Sequence, residues 1–119
     1  MRAALIALTL TSGALAQSYP AKPIRLVVPS SPGGGTDITG RVVAQKLTEL
    51  LRQQVVVDNR AGAGTRIGNE IVAKSPPDGY TLLMGLSTLA IIPAVYKSVS
   101  YDALRDFAPI SQAVSVPNV

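Results

Sequence analysis

Short apolar stretches alternate along this chain with longer segments of helical period. Residues 24–28 form an apolar stretch set between Pro23 and Pro29, as expected for a parallel strand buried on both faces. Residues 36–52 follow the helical period. At about 100° per residue, Gly40, Val43, Ala44, Leu47, Leu50 and Leu51 share one side, and Arg41, Gln45, Thr48, Glu49 and Arg52 the other. Ile38 and Val42 fall outside that stripe and are expected to touch a neighbouring element. Val55 to Val57 reads as a second strand, and Ile67, Ile71 and Val72 mark the buried face of a second helix ending near Lys74. Pro76-Pro77-Asp78-Gly79 stops that helix and makes a tight turn. A third strand is predicted over residues 80–84 and a loop over 85–88. Then come a short helix within 89–96, broken or started by Pro93, a capped helical turn over 102–107, and a fourth strand over 110–116.

A β-α-β-α-β order with short loops predicts an α/β fold: a mostly parallel sheet with helices on both faces. Right-handed crossovers place the loops after Val28, Val57 and Met84 together at the carboxyl edge, where open α/β sheets bind ligands.

Those loops carry the candidate chemistry. Pro32-Gly33-Gly34-Gly35-Thr36-Asp37 leaves the first strand and opens a helix, so bare N–H groups and a helix N-terminus face the edge together. Gly33, Gly34 and Gly35 let a ligand approach the main chain, and the hydroxyls of Ser30, Ser31 and Thr36 add neutral donors. Asp37 would repel an anion beside it. Its carboxylate therefore either points away and braces the loop or meets a cationic part of the ligand. In the second loop Gly62, Ala63, Gly64 and Thr65 are candidates for ligand contact. The alternative reading is a helix N-terminus that needs close packing on the sheet. Ser87 and Thr88 offer two hydroxyls at the third loop, as ligand donors or as a helix N-cap.

Rival anion sites fit less well. A phosphate-binding P-loop needs Lys followed by Ser or Thr after its last glycine, and Gly35 is followed by Thr36-Asp37. Gly62, Gly64 and Gly68 give a spacing one residue longer than the dinucleotide fingerprint, and the ribose-binding acid due about 20 positions on is missing.

Composition narrows the field further. The 119 residues are 47% apolar and 15% charged, which suits one compact unit. With no cysteine and no histidine, the chain holds no disulfide, no thiolate or imidazole metal ligand and no Ser–His–Asp triad of its own. The net charge of +4 comes from scattered Lys and Arg with no run of three, and the aromatics are not interleaved with them; a nucleic-acid partner is not expected. Arg2, the apolar residues 3–10 and the small residues of Ala14-Leu15-Ala16 have the layout of an export signal over residues 1–16.

The motifs also resemble a known family, co-linearly and after the leader. Tyr19-Pro20-Ala21-Lys22-Pro23-Ile24-Arg25 and Val28-Pro29-Ser30-Ser31-Pro32-Gly33-Gly34-Gly35-Thr36-Asp37 resemble the opening of the substrate-binding proteins of tripartite tricarboxylate transporters, the Bug family. Asn59-Arg60, Gly62-Ala63-Gly64, Ile67-Gly68, the run Pro77 to Gly85, Ser87-Thr88, Pro93 to Tyr96, Tyr101-Asp102, Asp106 to Pro109 and Ser115 to Val119 continue the match. The resemblance implies an exported, non-enzymatic receptor with two α/β domains that close on a small carboxylate. Main-chain groups and ordered waters would hold the ligand, and membrane permease subunits would be the partners. It departs at Thr65 and Arg66, where a glycine and a small polar residue are common, and at Leu89 and Ile92, in place of His and Asn. Residues 17–119 are then expected to be part of the N-terminal ligand-binding domain, with the second domain absent. On that reading the chain is a fragment, a truncated frame or a gene remnant, and binding is expected to be weak. The competing enzyme reading is the dinucleotide-binding domain of an oxidoreductase.

Overall fold

The computed structural model describes residues 18–116; the export signal expected at residues 1–16 lies outside them. Six principal elements follow in order: β1 (Ile24–Val28), α1 (Gly35–Leu51), β2 (Val55–Asn59), α2 (Arg66–Ala73), β3 (Thr81–Leu83) and α3 (Thr88–Val95), with a 3-10 turn at Ala63–Thr65. The three strands form one sheet in the order β2-β1-β3. Both pairings are parallel, with Leu26 of β1 opposite Val57 on one side and Leu82 on the other.

Side-chain alternation divides the sheet into two faces. Ile24 and Leu26 share one face with Val55, Val57 and Leu82, and α1 covers it through Ala44, Leu47 and Leu51. Gly40 allows α1 to approach closely, since a Cβ there would lie 2.9 Å from Val28 Cγ2. The second helix packs against β1 and β3 from the other side. Arg25, the one charge inside β1, points to that second face. Its guanidinium is paired with Asp58, which also takes Arg60 Nε at 2.9 Å. Burial pushes the Asp58 carboxyl up, but the bonds from Arg25 and Arg60 outweigh it and leave its pKa below the usual value.

At the opposite, amino edge, the motif residues of the N-terminal segment form a latch. Tyr19 Oη donates to Gly79 O at 2.6 Å, Ala21 N donates to Tyr80 Oη at 2.9 Å, and the two rings meet edge to face. Gly79, at φ +80°, is required twice, because a Cβ there would also meet the Tyr19 ring at 3.2 Å.

Four expectations fail. No strand forms over residues 110–116: the segment has no regular secondary structure, is exposed, and no strand among the described residues pairs with it. Leu50, expected in the buried stripe of α1, is 78% exposed: it lies at the margin of that stripe, about 80° from Gly40 around the helix, while Leu47 and Leu51 pack on the core. Ile38 and Val42, expected to touch a neighbour, are each 58% exposed. Pro93 neither starts nor breaks α3 but lies inside it. The turn at 102–107 has the expected caps. Asp102 Oδ1 accepts the Leu104 and Arg105 N–H groups, and Asp106 Oδ2 accepts that of Asp102.

Candidate ligand site at the carboxyl edge

Because every strand pair is parallel, the loops after β1, β2 and β3 leave the same edge of the sheet. They are also tied to one another. Asn59, the last residue of β2, donates through Nδ2 to Ser30 O at 3.1 Å and to Asp37 Oδ1 at 2.9 Å, joining the second loop to the first. Thr65 Oγ1 and Thr88 Oγ1 lie 2.9 Å apart, joining the second to the third.

Asp37 resolves the two readings open to it. Its carboxylate is 2% exposed and turned inward, where it accepts from Gly33 N, Arg41 Nε and Asn59 Nδ2, each at 2.9 Å. The Arg41 bond, then the Gly33 and Asn59 bonds, hold the carboxyl down at about 2, so it is an anion at any physiological pH. Asp37 is therefore a brace, its charge countered by Arg41. The Gly33 N–H is also committed, which removes it from the donors expected to face a ligand. What remains free is the stretch beyond it. The amides of Gly34, Gly35, Thr36 and Asp37 have no protein acceptor among the described residues, as befits a helix N-terminus. Ser31 is exposed, whereas Ser30 Oγ is buried and has no partner among the described residues.

Left-handed or otherwise positive φ values run through the second loop: +129° at Gly62, +48° at Ala63, +62° at Gly64 and +82° at Thr65. For a β-branched residue such as Thr65 that backbone is strained. Beneath it Asn69, 1% exposed, donates through Nδ2 to Thr65 Oγ1 and to Tyr101 Oη, each at 3.3 Å. Gly68 belongs to packing: a Cβ there would lie 2.7 Å from Pro29 Cβ and 2.9 Å from Pro29 Cα. In the third loop Ser87 is exposed and makes no side-chain cap bond to α3, and the Thr88 hydroxyl goes to Thr65. The N-cap reading of that pair is therefore not realised.

Arg66 neither stands free nor faces the first loop. Its guanidinium lies 5.2 Å over the Tyr96 ring and 3.9 Å from Glu70 Oε1. Ile92 is buried and Leu89 half-buried, so both pack inward.

Arg41, Asn59, Asn69 and Tyr101 support the edge yet were not singled out as supports in the sequence. The Asp37–Arg41 spacing of four along a helix is a legible ion-pair signal. Asn69 and Tyr101 meet across 32 positions, which no local pattern announces. A cavity of about 460 Å³ lies elsewhere, beside β3, between Val72, Thr81 and Leu83 on one side and Phe107 and Ile110 on the other. Among the described residues no three acidic side chains converge in a metal-binding arrangement, and no helix is long and apolar enough to cross a membrane.

Known proteins resemble this chain in sequence and fold. A family described as "Tripartite tricarboxylate transporter family receptor" matches residues 39–119. The protein BugT of Bordetella pertussis is 48% identical over 106 residues, covering 87% of this chain and 32% of BugT. Among solved structures, the periplasmic binding protein BugD superposes with a TM-score of 0.74 at 39% identity, over 77% of this chain and 31% of that one. The R. palustris protein Rpa4515, solved with adipate, gives 0.68 at 38% identity, over 72% of this chain and 29% of its own. The chain thus spans about a third of the length of the relatives it matches. These relatives are solute-binding proteins, and a periplasmic-binding-protein fold with a parallel sheet is what this chain shares with them.

Proposed function

Since the chain belongs to the tripartite tricarboxylate transporter receptor family, we propose that it contributes one face of a periplasmic receptor for a small carboxylate. The ligand class is a di- or tricarboxylate or an acidic amino acid, delivered to the membrane permease subunits of the transporter. The protein binds and releases its ligand and catalyses no reaction. Residues 17–119 supply part of the N-terminal domain of such a receptor.

One observation carries this reading: three tied loops at a single sheet edge, with the amides of Gly34, Gly35 and Thr36 free at the start of a 17-residue helix. A carboxylate placed there accepts two or more N–H bonds and meets the positive end of the α1 dipole. The Asp37 anion in the same turn does not cancel that attraction, because Arg41 is bonded to it and its oxygens face inward. Gly64, Ala63 and the Thr65–Thr88 hydroxyl pair supply the neighbouring rim, with Ser31 and Ser87 exposed beside it. A ligand held against this face alone keeps much of its surface in water, so weak binding is expected of residues 17–119 by themselves.

Amide chemical-shift titration tests the proposal at such affinities. Adipate, citrate and glutamate are added to the nitrogen-15-labelled chain. Saturable shifts confined to residues 34–36, 63–65 and 87–88 support a carboxylate site. Response only to a nicotinamide dinucleotide, or carboxylate shifts scattered away from these loops, overturns it.

A further inference from the structure

On the receptor reading above, we propose that Asn69 is a positioning residue for the carboxylate site: its side-chain amide sets which protons Thr65 and Thr88 have left to offer an anion. Asn69 lies on α2, one turn beyond Thr65, and is 1% exposed. Its Nδ2 donates to Thr65 Oγ1 and to Tyr101 Oη, each at 3.3 Å, one proton to each. Tyr101 fixes that direction. Its single hydroxyl proton goes to Leu89 O at 3.3 Å, so its oxygen has to accept, and the nitrogen of the amide has to face it. Asn69 Oδ1 is buried without a donor among the described residues. Arg66 Nε, three residues earlier on the same side of α2, is likewise buried without an acceptor among them, so that side already holds a donor and suits the amide oxygen.

The consequence is carried by two protons. Thr65 Oγ1 and Thr88 Oγ1 lie 2.9 Å apart, and whichever oxygen donates, one proton makes the bond and the other stays unspent. Among the described residues no other group accepts from either hydroxyl. Were the amide oxygen at Thr65 instead, Thr65 would donate to it, Thr88 would donate to Thr65, and neither proton would remain. With Nδ2 in that place the pair keeps a donor. Both threonines are half-buried at the carboxyl edge that also carries the free amides of Gly34, Gly35 and Thr36. An ionised carboxylate only accepts, so the unspent proton is the bond this part of the rim adds to those of the amides.

Adipate titrated into the nitrogen-15-labelled full chain and its variants tests this. Asn69→Asp keeps the shape of the side chain and turns the donor into an acceptor. It is expected to erase the shifts at residues 87–88 and to weaken adipate about tenfold, as for one bond to a charged group. Adding Thr65→Val leaves the Thr88 proton without an acceptor again, and the shifts at 87–88 are expected to return. Simple repulsion by the new carboxylate would forbid that return. With Asn69 intact and no ligand, Thr65→Val and Tyr101→Phe are each expected to move a different one of the two Asn69 side-chain amide protons. Movement of the same proton by both, parent-like adipate binding in Asn69→Asp, or a double variant without the returning shifts overturns the proposal and leaves the receptor reading in place. Failure of adipate to shift residues 34–36 of the parent overturns the receptor reading, and the role of Asn69 with it.

Discussion

The hydroxyl of Tyr101 donates to the carbonyl oxygen of Leu89 at 3.3 Å, and Leu89 lies four residues before Pro93 in α3. Proline has no N–H, so a helix loses the bond to the carbonyl four residues earlier. Tyr101, 6% exposed, supplies the missing donor from outside the helix while its oxygen accepts from Asn69 Nδ2. Tyr101→Phe leaves the Leu89 carbonyl without this donor and takes from Asn69 Nδ2 one of its two acceptors, Thr65 Oγ1 remaining, and is expected to destabilise the fold by about 1–3 kcal/mol in urea denaturation. In a Pro93→Ala background the backbone donor returns to Leu89, and the cost of Tyr101→Phe is expected to fall by about 0.5–1.5 kcal/mol. Equal costs in the two backgrounds would show that the hydroxyl is not replacing the helix bond.

Gly68 and Gly35 both lie in the first turn of a helix that leaves the carboxyl edge, yet they do different things. A methyl at Gly68 meets the Pro29 backbone at 2.9 Å and Arg60 O at 3.1 Å, and neither can move aside cheaply. Gly68→Ala is expected to cost about 1–3 kcal/mol. At Gly35 a methyl meets nothing within 4 Å, so Gly35→Ala is expected to hold or raise stability. Any loss of carboxylate response in Gly35→Ala therefore reports on the ligand and not on folding. Parallel urea curves and amide titrations of the two variants check both statements.

Much of this was legible in the sequence because it is local. The apolar stretch at residues 24–28 became β1, the glycine runs became the two loops, and Pro76 to Gly79 became the turn before β3. Parallel order then followed from alternation alone, and with it the shared edge. What escaped depends on partners remote in sequence. The segment at 110–116 has strand periodicity but no neighbour to pair with, and periodicity cannot announce that a ladder partner is missing. Asp37 could be read as a brace or a ligand contact until Asn59, 22 positions away, was seen against it. Arg41 was placed on the solvent face by its helical angle, and it is indeed more than half exposed, yet its Nε reaches back to Asp37.

Thr65 spends its hydroxyl on Thr88 while its backbone sits at φ +82°. Thr65→Val keeps the strained β-branched side chain and removes the hydroxyl, and Thr88→Val removes the partner. Each is expected to cost about 0.5–1.5 kcal/mol, with the double variant costing less than the sum because one bond is lost only once. Thr65→Gly relieves the left-handed strain, worth about 1–2 kcal/mol, and is expected to offset most of the lost bond. Denaturant midpoints of the four variants check the cycle. Strict additivity would mean that the second and third loops are not coupled through these oxygens.

Acid is expected to destabilise the fold in part through the carboxylate that braces the carboxyl edge. With Arg41, Gly33 and Asn59 bonded to it, Asp37 titrates at about 2 in the folded chain, against 3.8 for the free side chain. Between those values the unfolded chain binds the proton more readily, so stability rises with pH across this window. The contribution is complete above about pH 4 and is lost as pH falls toward 2. Asp58 and Asp102, also depressed, add to the same slope. Asp37→Asn is expected to be less stable at neutral pH, since Arg41 loses its counter-charge, and to show a shallower fall in urea midpoint from pH 4 to pH 2. The amide of Gly33 should exchange faster in that variant at pH 6, because its acceptor is no longer an anion. An Asp37→Asn curve that runs parallel to the parent through the acid window would remove Asp37 from the account of how the first loop is held.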